Sequence, residues 1–347
     1  MFKNKSVYKL AAVYIGTIIG AGFATGREIV SYFTVYGEIW LFGMILAGIL
    51  FSIGCWACLD ITYRNKIRGC NEFLNHIFGS KLGAVLDVFT NIFVMVLFLA
   101  MTSASGHVIH EILGIGDFKS TVLFVLTCAI VFIIGIDGIV WVNSVLSPVI
   151  IFGGVIIGAV LILFENKAVA NIAYPMILSV FTYVSYNSIT AVSVLINSVS
   201  LLNDKKDSMV VGMIGGGAIC FMGIFMGYLL FGNYDAVKNI EIPIFFIAKK
   251  YGSLILNLYG VVILAAIFTT AIGNGFSWVC YICENHNIKR MNSVILISIL
   301  GVISYFIPFS VFVDKGYRFF GYLGLFEFIV IIYCFIKEKI KEKLDNL

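Results

Sequence analysis

Residues 16–29 read GTIIGAGFATGREI. Gly16, Gly20, Gly22 and Gly26 stand within the first apolar stretch of the chain, and Arg27 and Glu28 follow at once. A glycine inside a helix costs roughly 1 kcal/mol relative to alanine, and an ionised side chain at membrane depth costs several kcal/mol, by order of magnitude. A spanning helix that accepts both in one place is a helix built to break. A break frees carbonyl and amide groups that a continuous helix would bond internally. At membrane depth such groups persist only against protein or a watery cavity, so the stretch reads as part of a site.

The whole chain supports a membrane setting. Its 347 residues are 61% hydrophobic and 12% charged, with a mean hydropathy of +1.03, whereas soluble domains carry about 25% charged residues. The basic start of the chain leads into an apolar run too long for a signal-peptide core and shows no small-residue cleavage site, so it is expected to remain as the first span. A spanning helix needs about 20 apolar residues, and ten stretches qualify: 7–35, 39–63, 82–109, 118–136, 139–164, 174–201, 209–231, 254–283, 291–307 and 319–336. The expected fold is therefore an all-α polytopic membrane protein with ten transmembrane helices.

Lysine and arginine mark cytoplasmic loops. With the N-terminus inside, 15 of them fall on the cytoplasmic side and seven outside, and Arg27 stays within the membrane. Both termini are thus expected in the cytoplasm. The outer segment 242–252, IPIFFIAKKYG, is apolar but too short to span, and reads as a short helix over the outer mouth.

Ten spans divide into five and five at 165–173. An odd-numbered half reverses direction, so one transporter domain would hold inverted repeats 7–164 and 174–336, followed by a solvated tail, 337–347. In such folds the site lies near the midplane, between discontinuous helices in corresponding positions of the two halves. Spans one and six are both expected to be interrupted. Span six carries Ser185-Tyr186-Asn187-Ser188 at its centre.

Gly16-Thr17-Ile18-Ile19-Gly20-Ala21-Gly22 resembles the G-x-x-V-G-x-G of sodium-coupled symporters with the LeuT fold. The longer phrase GAGFATGREI looks like the signature of the YkvI-like bacterial membrane proteins, a branch near the amino acid–polyamine–organocation transporters. The resemblance implies a multi-pass protein of the bacterial cytoplasmic membrane with broken helices 1 and 6. It implies a solute site at Gly20, Ala21, Gly22, Phe23, Phe181, Ser185, Tyr186 and Asn187. It also implies a sodium site made by the carbonyls of Gly16, Ile19 and Ala266 with the hydroxyls of Thr269 and Thr270. A hard cation seeks oxygen ligands of this kind. The competing reading is that both threonines bond back to their own helix.

Intramembrane ionisable residues are functional candidates. Arg27 and Glu28 follow the break toward the outer face, where symporters of this fold close an outer gate with an acid of span ten. Glu327 is the acid in the interior of span ten, and either pairs with Arg27 or carries a coupling proton. Thr102, Ser103, Asn91, Asn143, Asn197 and Asn274 read as interhelical hydrogen-bonding residues.

No P-loop, protease motif or nucleophile elbow occurs, so the chain is not expected to be an enzyme or to need an organic cofactor or nucleic acid. The expected function is secondary active transport of a small organic solute, such as an amino acid, by alternating access across the lipid bilayer. Sodium or a proton would be the coupling ion. Two rivals stand beside it: a ligand sensor on the same scaffold, like the spore germinant receptor subunits, and a channel-like conductor. Substrate identity and oligomeric state stay open.

Overall fold

The computed structural model describes residues 5–135, 137–139, 141–142, 145–146, 150, 176–286 and 288–345. Its regular structure is all helical. Span one is divided into α1 (Lys5–Ile18), α2 (Ala21–Ala24) and α3 (Arg27–Tyr32). Then come α4 (Trp40–Arg64), α5 (Cys70–Leu113), α6 (Asp117–Ile134) and α7 (Met176–Asn197). α8 (Lys205–Gly232), the short α9 (Pro243–Lys249), α10 (Ser253–His286), α11 (Arg290–Ile303) and α12 (Arg318–Asp345) complete the order.

Among the described residues seven helices are long and apolar enough to cross a membrane, and two shorter apolar helices, Ser6–Ile18 and Arg290–Phe306, lie where spans one and nine are expected. The chain is a multi-pass membrane protein. Most of the expected fifth span, 139–164, with Asn143, the division at 165–173 and the start of span six lie outside the described residues.

Three boundaries differ from the reading of the sequence. α5 begins at Cys70, well before residue 82, and turns at Gly79, whose φ of +75° lies in the left-handed region. Span ten begins earlier as well. Residues Phe309–Leu344 form one helical run, widened into a π-type turn over Phe312–Tyr317. That turn brings Asp314 into the membrane protein's interior face, although its neighbours Lys315 and Arg318 read as loop residues. The third difference is decisive for the site. α7 is a continuous helix, so span six is not broken.

Side chains explain why α7 stays intact. Asn187 Nδ2 donates to the Tyr183 carbonyl at 3.0 Å, Ser188 Oγ to Val184 at 2.8 Å and Thr190 Oγ1 to Asn187 at 3.0 Å. These three side chains bond back to their own helix and leave its backbone ladder whole.

The helices pack by close approach, as expected where lipid removes any hydrophobic drive between them. α4 lies along α8, and a Cβ at Gly216 would stand 2.5 Å from the Gly48 carbonyl and 2.1 Å from Ser52 Oγ. Hydrogen bonds cross elsewhere: Thr102 Oγ1 meets Ser304 Oγ at 2.6 Å, and Ser103 Oγ donates to the Ile307 carbonyl at 2.7 Å. Asn91 and Asn274 instead bond to their own helices. At the opposite end of the bundle from α9, the fully buried Asp60 pairs with Arg64 and with Lys339 at 3.0 Å, and Glu342 joins Arg64 to Lys205. This seam ties the ends of α4, α8 and α12.

Overpacking a tight contact costs about 1–3 kcal/mol. Gly216→Val is accordingly expected to lower the thermal unfolding midpoint of the purified protein, while Gly217→Ala, inside the same helix at a position whose Cβ meets nothing within 4 Å, is expected to raise it slightly.

Candidate functional site

The break in span one is real and is held from outside. In a continuous helix the Gly20 amide would reach the Gly16 carbonyl. It turns instead to the Ile18 carbonyl at 2.9 Å, and Gly20 takes an extended conformation, φ −89° and ψ −166°. A second discontinuity follows at Gly26, where φ is +80°, a conformation costly for any residue with a Cβ. The carbonyls between the two are taken by other groups. Thr25 Oγ1 donates to the Gly22 carbonyl at 2.9 Å, the Tyr259 hydroxyl of α10 to Ala24 at 3.1 Å, and the Ile244 amide of α9 to Thr25 at 3.2 Å. The short outer helix expected over residues 242–252 is thus present, and it caps the break.

Arg27 sits on the same side. Its guanidinium donates to the carbonyls of Lys238 at 2.8 Å and Ile240 at 3.1 Å, and forms an ion pair with Asp314. Ser31 Oγ donates to the other Asp314 oxygen at 2.5 Å, and Arg318 donates to the Ser31 carbonyl at 2.6 Å. The expected pairing of Arg27 with Glu327 does not form, because the π-type turn presents Asp314 to α3. Glu327 lies deeper, 5% exposed. Its charge bears on the thiols of Cys58 and Cys70, and no ion pair reaches it among the described residues.

Glu28 points away from this outer cluster. Its carboxyl group lies against Gly22, so closely that a Cβ there would stand 1.9 Å from Glu28 Oε1. Its charge bears on Tyr32, Tyr183, Tyr186 and Tyr317, with the Tyr186 hydroxyl facing it. The rings cluster around Tyr186, whose centroid is 5.2 Å from Tyr317, 5.6 Å from Tyr183, 5.7 Å from Tyr32 and 6.0 Å from Phe93.

Of the expected solute residues, Gly22 and Tyr186 meet Glu28 or the rings at this point, whereas Ser185 lies on the face of α7 that packs on α12, its carbonyl beside Gly324. Gly20 and Ala21 belong to the break itself, Phe23 is buried beside it, and Asn187 is turned to its own helix. Phe181 enters none of the ring contacts among the described residues. Tyr183 holds that place, since residues three apart share a helix face. Tyr32, Tyr183, Tyr317, Asp314 and Tyr259 were not picked out by sequence reasoning. The available signals were the i, i+3 spacing of Tyr183 and Tyr186 and the i, i+4 spacing of Glu28 and Tyr32.

The residues expected around a coupling ion fall near the first discontinuity. A Cβ at Gly20 would lie 3.3 Å from Thr270 Oγ1. Thr269 Oγ1 donates to the Ala266 carbonyl at 3.1 Å. Ala266 is buried, Ile19 is half-buried and Gly16 is exposed.

No protein-family model matches the chain. The chain is 27% identical over 336 residues to YkvI, an uncharacterized membrane protein of Bacillus subtilis (strain 168), covering 95% of this chain and 96% of that one. It resembles YkvI along nearly its whole length. It is also 20% identical over 340 residues to YyaD, an uncharacterized protein of the same organism, covering 96% and 98% of the two chains. Among solved structures it is similar to Mhp1, a nucleobase-cation-symport-1 family transporter in a closed conformation with bromovinylhydantoin bound. The TM-score is 0.61 at 16% identity, over 88% of this chain and 74% of that one. That likeness is one of fold: the chain shares the LeuT-type helical arrangement.

Removing one partner from a buried ion pair costs about 3–5 kcal/mol. The Asp314 side chain is 35% exposed, so Asp314→Ala is expected to cost less than that range in chemical unfolding, yet still measurably. The double variant Arg27→Gln/Asp314→Ala is expected to cost less than Arg27→Gln and Asp314→Ala summed, and the difference is the coupling free energy of the double-mutant cycle.

Proposed function

We propose that the protein is a secondary transporter, not an enzyme, that moves a small organic solute across the bacterial cytoplasmic membrane by alternating access. The observation that carries this reading is the break between α1 and α3, whose backbone groups are satisfied by α9, α10 and Thr25 rather than by a continuous helix. A spanning segment held in pieces can exchange partners without unfolding. The fold shared with Mhp1, which is closed on a small organic molecule, supports the same reading. In this reading both termini face the cytoplasm, α9 and the Arg27–Asp314 cluster cover the outer side, and the Asp60–Glu342 seam covers the inner side.

The solute would sit beside Gly20, Ala21, Gly22 and Phe23 of the break and Ser185, Tyr186 and Asn187 of α7. Sodium would be held by the carbonyls of Gly16, Ile19 and Ala266 and the hydroxyls of Thr269 and Thr270. Two features favour that ion site: the Gly20 amide leaves the Gly16 carbonyl, and Thr270 Oγ1 stands beside Gly20. Bound there, the ion would tie the broken span to α10 and favour one access state by its difference in affinity between states. Proton coupling is the second reading, and the burial of Glu327 without a basic partner favours it.

Uptake into proteoliposomes is the test. Saturable, gradient-driven uptake with counterflow is expected, and binding without flux would point to a sensor. Thr269→Val/Thr270→Val keeps the shape but removes two of about five oxygens, a loss few hard-cation sites survive. The double variant is expected to fold and to lose sodium-dependent stabilisation and sodium-dependent solute binding together. Wild-type binding that ignores sodium, with pH-driven uptake abolished by Glu327→Gln, would transfer the coupling to the proton.

A further inference from the structure

We infer that Glu28 and the tyrosines around it form a subsite for a protonated amino group, so that the solute is a small organic amine. The inference deepens the transport reading, but binding at the subsite can be measured without it.

The charge distribution comes first. Among the described residues four buried side chains carry formal charge: Arg27, Glu28, Asp60 and Glu327. Arg27 and Asp60 have partners of opposite sign. Glu28 has none, at 6% exposure. A carboxylate in a dry interior without a counter-charge is unfavourable. A cation brought by the solute supplies what the chain withholds. Glu327 shares the lack of an ion-pair partner, but no ring of the aromatic cluster is linked to it; its charge bears on the thiols of Cys58 and Cys70.

The surroundings of Glu28 are of a different kind. Tyr32, Tyr183, Tyr186, Tyr317 and Phe93 form one connected ring cluster, and aromatic faces attract cations. Tyr32 already takes one, since the Arg318 guanidinium lies 5.3 Å from its ring centroid. A carboxylate inside an aromatic cluster is the pairing that a desolvated ammonium group requires.

The hydrogen-bonding inventory narrows the class. Glu28 Oε2 and the hydroxyls of Tyr183 and Tyr317 are buried without a hydrogen-bond partner in the structure, and the Tyr186 hydroxyl has Glu28 alone before it. Buried polar atoms in native proteins nearly always have a partner, and three orphans around one acid mark a place that receives a ligand. All of these oxygens can accept. A primary or secondary ammonium has two or three N–H donors to give, whereas a quaternary ammonium has none. A carboxylate would meet Glu28 as a like charge.

Position links the subsite to movement. Gly22 lets the Glu28 carboxyl lie against the broken span, so an amine held there touches the segment between the two discontinuities. A cavity of about 320 Å³ adjoins the cluster, lined among others by Ser179, Thr182, Arg318 and Tyr322. Ser179 Oγ donates to the Tyr32 carbonyl at 3.0 Å, so the cavity wall and the cluster share a contact.

The test uses the full chain in detergent and in proteoliposomes. Ethanolamine, putrescine and phenethylamine are the probes, with the matching alcohols, acetate, propionate and hydantoin as controls. At least one amine is expected to raise the unfolding midpoint while the controls do not. Glu28→Gln, nearly isosteric, is expected to weaken that binding more than tenfold, and Tyr317→Phe, which removes one hydroxyl, several-fold. Should Glu28→Gln fail to fold, Tyr317→Phe and Tyr186→Phe carry the comparison. No stabilisation by any of the three amines overturns the inference, as does an amine affinity unchanged in these variants. Uptake of a neutral or anionic control without amine binding overturns the inference and leaves the transport reading standing. Glu28-dependent amine binding without flux does the reverse.

Discussion

A backbone that leaves its helix inside a membrane must be bonded by something else. That constraint governs the arrangement around residues 19–26. Each unbonded polar group in hydrocarbon costs several kcal/mol, by order of magnitude. The two discontinuities at Gly20 and Gly26 are therefore stable only because α9, α10 and Thr25 bring donors to the freed carbonyls. α9 is too short to span, buries Ile244, Phe245, Ile247 and Ala248 in the core, and brings the Ile244 amide in its first turn to the Thr25 carbonyl. The outer loop thus serves the break as well as its own apolar packing.

The same constraint separates Arg27 from Glu28. These adjacent residues on α3 face different environments, since neighbours in a helix point about 100° apart. Arg27 turns outward to loop carbonyls and Asp314, where three acceptors and a counter-charge offset its burial. Glu28 turns inward, past Gly22, to phenol rings. One turn of helix thus carries both a structural ion pair and an unpaired acid.

Much of the fold was legible because hydropathy sets where helices run, and membrane length limits make that signal strong. The break was legible too, since four glycines followed by two charges do not suit an intact spanning helix. Span six misled for a definable reason. Asn187 and Ser188 look like residues that disturb a helix, but their short polar side chains bond to the carbonyl one turn back and leave it whole. Asp314 was hidden by a boundary: a π-type turn extends span ten backward and converts an apparent loop acid into the partner of Arg27. The ring cluster was hidden by topology, because Tyr32, Tyr183 and Tyr317 come from three distant segments and no local pattern joins them. Only the short spacings, Glu28 to Tyr32 and Tyr183 to Tyr186, lay on the surface of the sequence.

The two halves of the chain therefore contribute unlike things to the same place. The first supplies a broken backbone, with an acid at its edge. The second supplies an intact helix whose rings and hydroxyl groups face that acid. A continuous α7 cannot offer freed carbonyls or amide ends to a ligand, so recognition from its side must come from side chains. Side chains can reorient with little cost to the helix that bears them, whereas a segmented backbone can shift as pieces. In the proposed transport cycle the first span would be the part that moves and the sixth the surface that reads the solute. The carboxylate of Glu28 sits where the two meet, so a charge placed against it would act directly on the segmented backbone.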